Sequence, residues 1–396
     1  KIGARVELKK ILVRNLQKAA QKVDDPSVLT NDVQEILDDP EIEIVIEVMG
    51  GIQPALSYML EALNAGKSVV TANKDVVASE GKKLLEAAKV NGRDFLYEAS
   101  VAGGIPIVRP MKQCLAGNHI TEVVGIFNGT TNFILTKMSK EGMEFEEALQ
   151  LAQDLGYAES DPTSDIEGLD AGRKVAILAS AAFNSRVVFE NVYTEGIARI
   201  TAKDIQYAKE MGCEIKLLGM ARLTAEGIEA RVHPMLINKD HPLASVQDSY
   251  NAVFVRGDAV QDTMFYGRGA GELPTASAVV GDVFDCVRNI LADCCGRIGC
   301  TCYKDLPIRK ISQIKSKYFV RMEVEDRPGV LASVTAVFGN NSVSIAQFIQ
   351  KEKKGELAEI VVITEKVQER HFMDAIRILE GMSIIREISS LIRVYG

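Results

Sequence analysis

Between Ile42 and Glu98 the chain alternates apolar runs with segments of helical period, and this alternation limits the possible folds more than any other feature. Ile42, Ile44, Val45, Ile46 and Val48 form one apolar strand and Pro54 to Ala65 a helix. A short strand Ser68 to Thr71, a helix Glu80 to Val90 and a strand Phe95 to Glu98 follow. Strands that are apolar on both faces, set between amphipathic helices, predict a parallel sheet covered on both sides. Ahead of them, Val6, Leu8, Ile11 and Val13 read as a strand and Asn31 to Leu37 as a helix. Ligands of such sheets lie beyond the carboxyl ends of the strands, which singles out Arg14, Gly50, Gly51, Thr71, Asn73, Lys74, Glu98 and Ser100.

A dinucleotide-binding domain opens with strand, GxGxxG turn and helix, and that fingerprint is absent. Either the chain starts late or the cofactor site is incomplete; we expect residues ahead of Lys1. Arg14 lies where an acid usually meets the ribose hydroxyl of NAD. An arginine there favours the 2′-phosphate of NADP, although a solvated surface arginine fits the same position.

A second stretch, GYAESDPTSDIEGLDAGRK, Gly156 to Lys174, packs Glu159, Asp161, Asp165 and Asp170 with a terminal lysine. Gly156 closes a helical pattern running from Phe145 to Leu155, and Pro162 holds Asp161 extended. The apolar run after Arg173 predicts a helix that starts near Glu167 or Gly168. Asp170 and Lys174 then stand a turn apart on one face, with the lysine leading into Val175 to Ala179. Glu159 and Asp165, read as unpaired acids, suit the ammonium of an amino-acid-like ligand. An acidic loop capping a helix through one salt bridge has the same spacing.

Further along, SVAGGIPIVRP gives a glycine-rich turn into a helix that offers amides to a ligand or carbonyls to a cation. The strand Glu122 to Phe127 runs into NGTTNFIL, where Gly129 permits close backbone approach and Thr130 and Thr131 suit a helix cap. A helix Ala202 to Met211 and strands Ile215 to Leu223, Ile228 to Ile237 and Ala252 to Val255 make the middle region α+β. His233 and His241 each precede a proline, which favours turn or strand-end roles over metal ligation. GRGAG, Gly267 to Gly271, followed by a helix from Pro274 to Leu291, reads either as a second phosphate cradle containing Gly269 or as a connector.

Residues 298–316 lack periodicity and read as a linker. Beyond them come a strand Tyr318 to Val324, a helix from EDRPGVLASVTAVFG, strands Val343 to Ile349 and Leu357 to Ile363, a helix Gln368 to Leu379 and a strand Ile384 to Val394. This βαββαβ order is that of a ferredoxin-like unit. A length of 396 residues allows two or three domains. A net charge of -8 with no basic stripe argues against nucleic acid and against an anionic membrane surface. No apolar run approaches a membrane span and the first residues are not a signal peptide, so a cytoplasmic location is expected. Five of the seven cysteines lie between Cys286 and Cys302, in spacings unlike a zinc ribbon and with no nearby histidine.

Taken together, VVTANK (69–74), EASVAGGIP (98–106), FNGTTNFIL (127–135), the acidic stretch with Lys174 and GRGAGELPTASAVVGD resemble homoserine dehydrogenase over nearly the whole chain. DRPGVLA and its βαββαβ frame resemble an ACT domain. The resemblance implies an α/β chain in three parts. The first is a Rossmann-type NADP-binding domain over residues 1–100 with a return helix at 274–297. A substrate-binding, catalytic and dimerisation domain follows over 101–273, and an ACT regulatory domain over 317–396.

It also implies that Lys174 is the acid/base and Lys74 a second essential lysine. Glu159, Asp165 and Asp170 would hold homoserine, with Tyr157, Gly129 and Thr130 lining the pocket. A sodium-like ion would sit on the turn Glu98, Val101, Gly103, Ile105. The activity implied is NADP(H)-dependent interconversion of L-aspartate 4-semialdehyde and L-homoserine, in threonine, methionine and isoleucine biosynthesis, with NAD(H) also possible. An amino-acid effector, expected to be threonine, would bind near Asp326, Gly329, Leu331, Asn340 and Asn341 in a homo-oligomer, dimer or tetramer. The absent fingerprint keeps a second reading open, a non-catalytic amino-acid sensor on the same fold. A third is another semialdehyde dehydrogenase, which would not require the acids before Lys174.

Overall fold

The structure, a computed structural model, describes residues 2–396, and for residues 351–354 the main chain only. It divides into two compact units. The first runs to Gly117 and takes in Ala270–Lys304; the second comprises Asn118–Gly269 and Asp305–Gly396.

In the first unit the strands Ile44–Glu47, Ser68–Thr71 and Phe95–Leu96 form a parallel sheet in that order. Ser68 to Thr71 are fully buried, as an apolar central strand demands. Helices Ala55–Asn64 and Lys74–Val90 follow the first two strands, the latter starting six residues before the sequence pattern suggests because Asn73 caps it. A separate parallel pair, Ile11–Leu12 with Leu29–Thr30, precedes them. The strand expected from Val6 is shorter than its pattern, since Val6 and Leu8 stay exposed with no neighbouring strand over them among the described residues. Likewise the expected helix at Asn31 is one turn, Gln34–Leu37.

The helix Glu272–Leu291 also belongs to the first unit, packing Val279, Val283 and Cys286 against Val70 and Ala99. Residues 101–117, expected with the catalytic part, cluster here instead. Their helix Val108–Lys112 is anchored by Glu98, whose carboxylate accepts the amides of Ile107, Val108 and Arg109, and Arg109 pairs with Asp282. All seven cysteines are free thiols.

The second unit is built on one long sheet. Its order is Gln261–Arg268, Tyr250–Gly257, Ile120–Ile126, Cys213–Thr224, Gly227–Asn238, Ile385–Val394, Lys315–Glu325, Leu357–Thr364 and Ile345–Lys354. The last four strands, with helices Val330–Asn340 and Glu369–Glu380, are the expected ferredoxin-like unit around Tyr318, Met322, Phe338 and Phe372. That unit does not stand apart. Its final strand adds in parallel to Gly227–Asn238, Arg393 opposite Met235 and Val394 opposite Leu236. Tyr395 continues the seam, its amide donating to Leu236 O (2.8 Å) and its ring packing edge-on to His241.

The linker is bound as well: Arg309 pairs with Glu229 at 2.6 Å and Ile228 bridges Ile308. The strand Gln261–Arg268 is among those the sequence pattern does not predict, and the placing of His233 needs correcting. His233 lies inside the Gly227–Asn238 strand, fully buried, rather than at a strand end or turn. Burial and the neighbouring Arg393 and Arg231 hold its pKa well below the usual histidine value. His241 does sit at a turn, capping Pro242–Ser245.

Candidate active site

In the second unit the acidic stretch folds as a short helix, Thr163–Ile166, then a left-handed Gly168, then the helix Leu169–Phe183. Lys174 and Asp170 face inward from that second helix. The Lys174 ammonium donates to Asp170 Oδ2 at 2.6 Å and to Phe127 O at 2.7 Å, and both side chains are about nine-tenths buried. Phe127 directly follows the strand Ile120–Ile126, and the next residue, Asn128, caps the helix Gly129–Glu141 through Thr131 N (2.9 Å).

The other end of the Asn128 amide holds the site together. Its Nδ2 donates to Asp165 Oδ1 (2.7 Å) and to Asp170 Oδ2 (3.0 Å). Asp165 is therefore not the unpaired acid expected from sequence. Burial, and next the charge of Asp170, raise its pKa above the ordinary carboxylate value. Two acids so close cannot both be comfortably ionised without a cation, and Lys174 provides one. Thr130 Oγ1 donates to Tyr157 O (2.7 Å), and the half-exposed Tyr157 ring lies over Phe133. Gly129 is pressed against Ser249 O, where a Cβ would stand 2.8 Å away. Asp165, Asp170, Lys174, Gly129, Thr130 and Tyr157 thus share one end of the sheet. Glu159 stays on the exposed approach to it.

In the first unit Gly50, Gly51, Thr71, Asn73 and Lys74 lie together at the carboxyl ends of the strands. Gly50 and Gly51 both adopt left-handed backbone (φ 77° and 70°), with nothing within 4 Å of where a Cβ would stand. A ligand can approach that backbone without meeting a side chain. The turn is set by Glu47, whose Oε1 accepts Met49 N (2.6 Å) and Gly50 N (3.2 Å) and whose Oε2 accepts the Thr71 hydroxyl (2.6 Å). Asn73 Nδ2 donates to Gly51 O (2.7 Å), and its Oδ1 caps the helix that begins at Lys74. The Thr71 and Ser100 hydroxyls are spent inside the fold, Ser100 on Tyr97 O. Arg14 is exposed just past Ile11–Leu12.

Two expectations change meaning. Gly269 is required by packing whatever else its loop does, because a Cβ there would fall 2.0 Å from Asn251 Nδ2. The Glu98 carboxylate is taken up by three amides, so a cation at the Glu98–Ile105 turn would meet main-chain carbonyls rather than that side chain. Among the described residues no group of three or more histidine, cysteine, aspartate or glutamate side chains is placed to hold a metal. Of the effector candidates, Gly329 caps Val330–Asn340 in left-handed conformation, Asp326 N donates to Glu356 O, Leu331 and Asn340 are exposed and Asn341 closes the helix. Asn128 and Glu47 were missed. The signals were an amide just ahead of a Gly-Thr-Thr helix start, and a lone acid ending an apolar strand before Gly-Gly.

Comparison with known proteins matches three successive parts of the chain. Residues 2–98 match the homoserine dehydrogenase NAD-binding domain, residues 106–284 the homoserine dehydrogenase domain and residues 318–381 the ACT domain. The chain is 45% identical to homoserine dehydrogenase of Bacillus subtilis, covering 100% of this chain and 92% of that one. It is 46% identical to the Synechocystis enzyme, over 98% and 92%. The crystal structure of a homoserine dehydrogenase from Thiobacillus denitrificans superposes with a TM-score of 0.93 at 42% identity, covering 98% and 90%. A hyperthermophilic archaeal homoserine dehydrogenase in complex with NADPH is similar at a TM-score of 0.59 and 28% identity, over 68% of this chain and 81% of that one. With identities this high over nearly its whole length, the chain belongs to the homoserine dehydrogenase family of oxidoreductases acting on a CH–OH group, with an NAD-binding domain and an ACT domain.

Proposed function

We propose that the chain interconverts L-homoserine and L-aspartate 4-semialdehyde with NADP(H) in preference to NAD(H), and that Lys174 moves the proton. The observation that carries this reading is the buried Lys174, held between Phe127 O and Asp170, with Asp165 tied to the same carboxylate through Asn128. An ammonium has three donors. Two are spent on Phe127 O and Asp170, which leaves the third for a substrate oxygen.

The nicotinamide cofactor, when bound, supplies or accepts the hydride. Gly50, Gly51, Asn73 and Lys74 would hold it, with Thr71 fixing the turn and Arg14 favouring a 2′-phosphate. During reduction Lys174 donates its proton to the carbonyl oxygen as that oxygen gains charge. In oxidation the neutral amine takes the hydroxyl proton. Asp165 and Glu159 are suited to the substrate ammonium. A sodium-like ion on the carbonyls of Glu98, Val101, Gly103 and Ile105 would steady the neighbouring turn. Feedback, with threonine as the expected effector, would act at Asp326–Leu331 and Asn340–Asn341 between paired ACT domains of a homo-oligomer.

The test follows NADPH absorbance with aspartate semialdehyde. Lys174→Ala is expected to lose about a hundredfold or more in kcat, the range of a positioned general acid. Retained turnover would remove Lys174 from this role.

A further inference from the structure

The turn that joins Asp165 to Asp170, closed by Gly168 N donating to Asp165 O at 3.0 Å, also leans on a second segment. Segment 195–197 fits against it backbone to backbone. Ile197 N donates to Ile166 O at 2.8 Å, and Glu195 O lies beside Gly168, where a Cβ would stand 3.4 Å away. Gly196 is pressed so closely that a Cβ there would stand 2.2 Å from Ile166 O and 2.7 Å from Glu167 Cα. Segment 195–197 therefore helps to place residues 166–168 and, alongside Asn128, the two acids around Lys174.

What places 195–197 comes partly from the ACT domain. Glu195 N donates to Val232 O, but the Glu195 carboxylate takes Tyr193 OH (2.9 Å) and Arg393 Nη1 (2.7 Å). Arg393 lies on the last ACT strand with its side chain only 4% exposed. It is already neutralised by Glu369 at the start of the second ACT helix, and is stacked over the rings of Tyr193 and Tyr318. The Glu195 side chain is 37% exposed, so its ion pair adds little to stability, within the ~0–1 kcal/mol of exposed pairs. The contact's consequence is geometric.

We propose that Arg393 is a positioning residue for the dehydrogenase reaction. Through Glu195 and segment 195–197, it fixes the turn that sets Asp165 and Asp170 around Lys174, so a residue of the ACT domain shapes the substrate end of the active site. The path runs Glu369, Arg393, Glu195, the Ile197–Ile166 hydrogen bond, Asp165. It rests on the reading of Asp165 and Lys174 as substrate-facing groups.

The experiment uses the full chain and varies Glu195, because Glu195→Ala and Glu195→Gln leave the buried Arg393–Glu369 pair intact. The melting temperature is expected to stay within about 2 °C of wild type, given the small worth of a half-exposed pair. Misplacing the acids by a fraction of an ångström is expected to raise KM for homoserine about tenfold in Glu195→Ala, and less in Glu195→Gln, which keeps an acceptor for Arg393. KM for NADP(H) should stay within about twofold, since the segment touches the 166–168 turn and Val232 and none of the residues assigned to the cofactor. Arg393→Lys combined with Glu195→Ala should be no worse than the more damaging single change, because both cut one path.

Unchanged kcat/KM for homoserine in Glu195→Ala would overturn the proposal. So would parallel rises in both KM values, or additive losses in the double variant. Lys174→Ala run alongside separates the two levels. If it is inactive while Glu195→Ala is unaffected, only this link fails; if it retains turnover, the assignment of Lys174 fails.

Discussion

Lys216 shows how far a single side chain can be pushed to hold a site in place. It lies on the strand Cys213–Thr224 with 2% exposure, and its ammonium donates to Asn132 Oδ1 (3.1 Å) and Val246 O (2.6 Å). Asn132 Nδ2 donates in turn to the carbonyls of Val246, Asp248 and Tyr250, so the two side chains tie the helix carrying Gly129 and Thr130 to segment 246–250. Burial lowers the Lys216 pKa to about 8. An unfolded lysine titrates near ~10.4, so between those values the unfolded chain binds a proton that the folded chain does not, and stability rises with pH across that window. Relative to Lys216→Met, wild type should gain about 3 kcal/mol of unfolding free energy between pH 7 and 10.5. Urea denaturation of both proteins across that range measures it, and a pH-independent difference would refute the account. Asn128 makes the same point without titrating: one uncharged amide orients both acids and caps a helix.

At the scale of elements, caps decide where structure begins. Glu98 is buried and accepts the first amides of Val108–Lys112, and the backbone of Glu98 is itself held by Asp282 Oδ2 (2.8 Å). Glu98→Ala leaves three amides, two of them buried, without that acceptor and should cost about 3 kcal/mol, read as a drop in the denaturation midpoint. The elements legible in the sequence were those whose burial is uniform or cleanly periodic. Ser68–Thr71 appears with its expected bounds, and Phe145–Asp154 and Ala202–Glu210 each fall one residue short of theirs. Gln261–Arg268 escaped because it is an edge strand with one solvent-facing side, and its polar start, Gln261, Asp262 and Thr263, reads as loop. Within the site, Lys174 and Asp170 were readable because i,i+4 spacing is a local signal. The bond from Asn128 to Asp165 spans 37 residues and leaves no such trace.

Across the whole second unit, the sequence suggested a catalytic part and a tethered ACT domain, whereas a single sheet runs through both. Buried charges line the join: Arg321 with Asp204 (3.0 Å) and Glu359 (3.2 Å), Lys203 with Glu359 (2.8 Å), and Arg231 with the Ser316 hydroxyl (2.9 Å). Such pairs carry no sequence signal, because their partners lie 38 to 117 residues apart for Arg321 alone. Removing one partner of a buried pair costs about 3–5 kcal/mol. Truncation after Gln313 removes many at once and bares the edge of Gly227–Asn238. The shortened chain should therefore elute as aggregate in size-exclusion chromatography; a monodisperse, active fragment would show that the catalytic part stands alone.

The parallel pairing of Val394 with Leu236 also bears on how such enzymes could be rewired. Grafting a sensor of different ligand preference cannot be done by cutting at the linker and splicing in a foreign module. The donor would have to bring its own terminal strand in matching register, an arginine for Glu195 and a counterpart for Asp204, or the recipient's interior would be left with charges facing nothing.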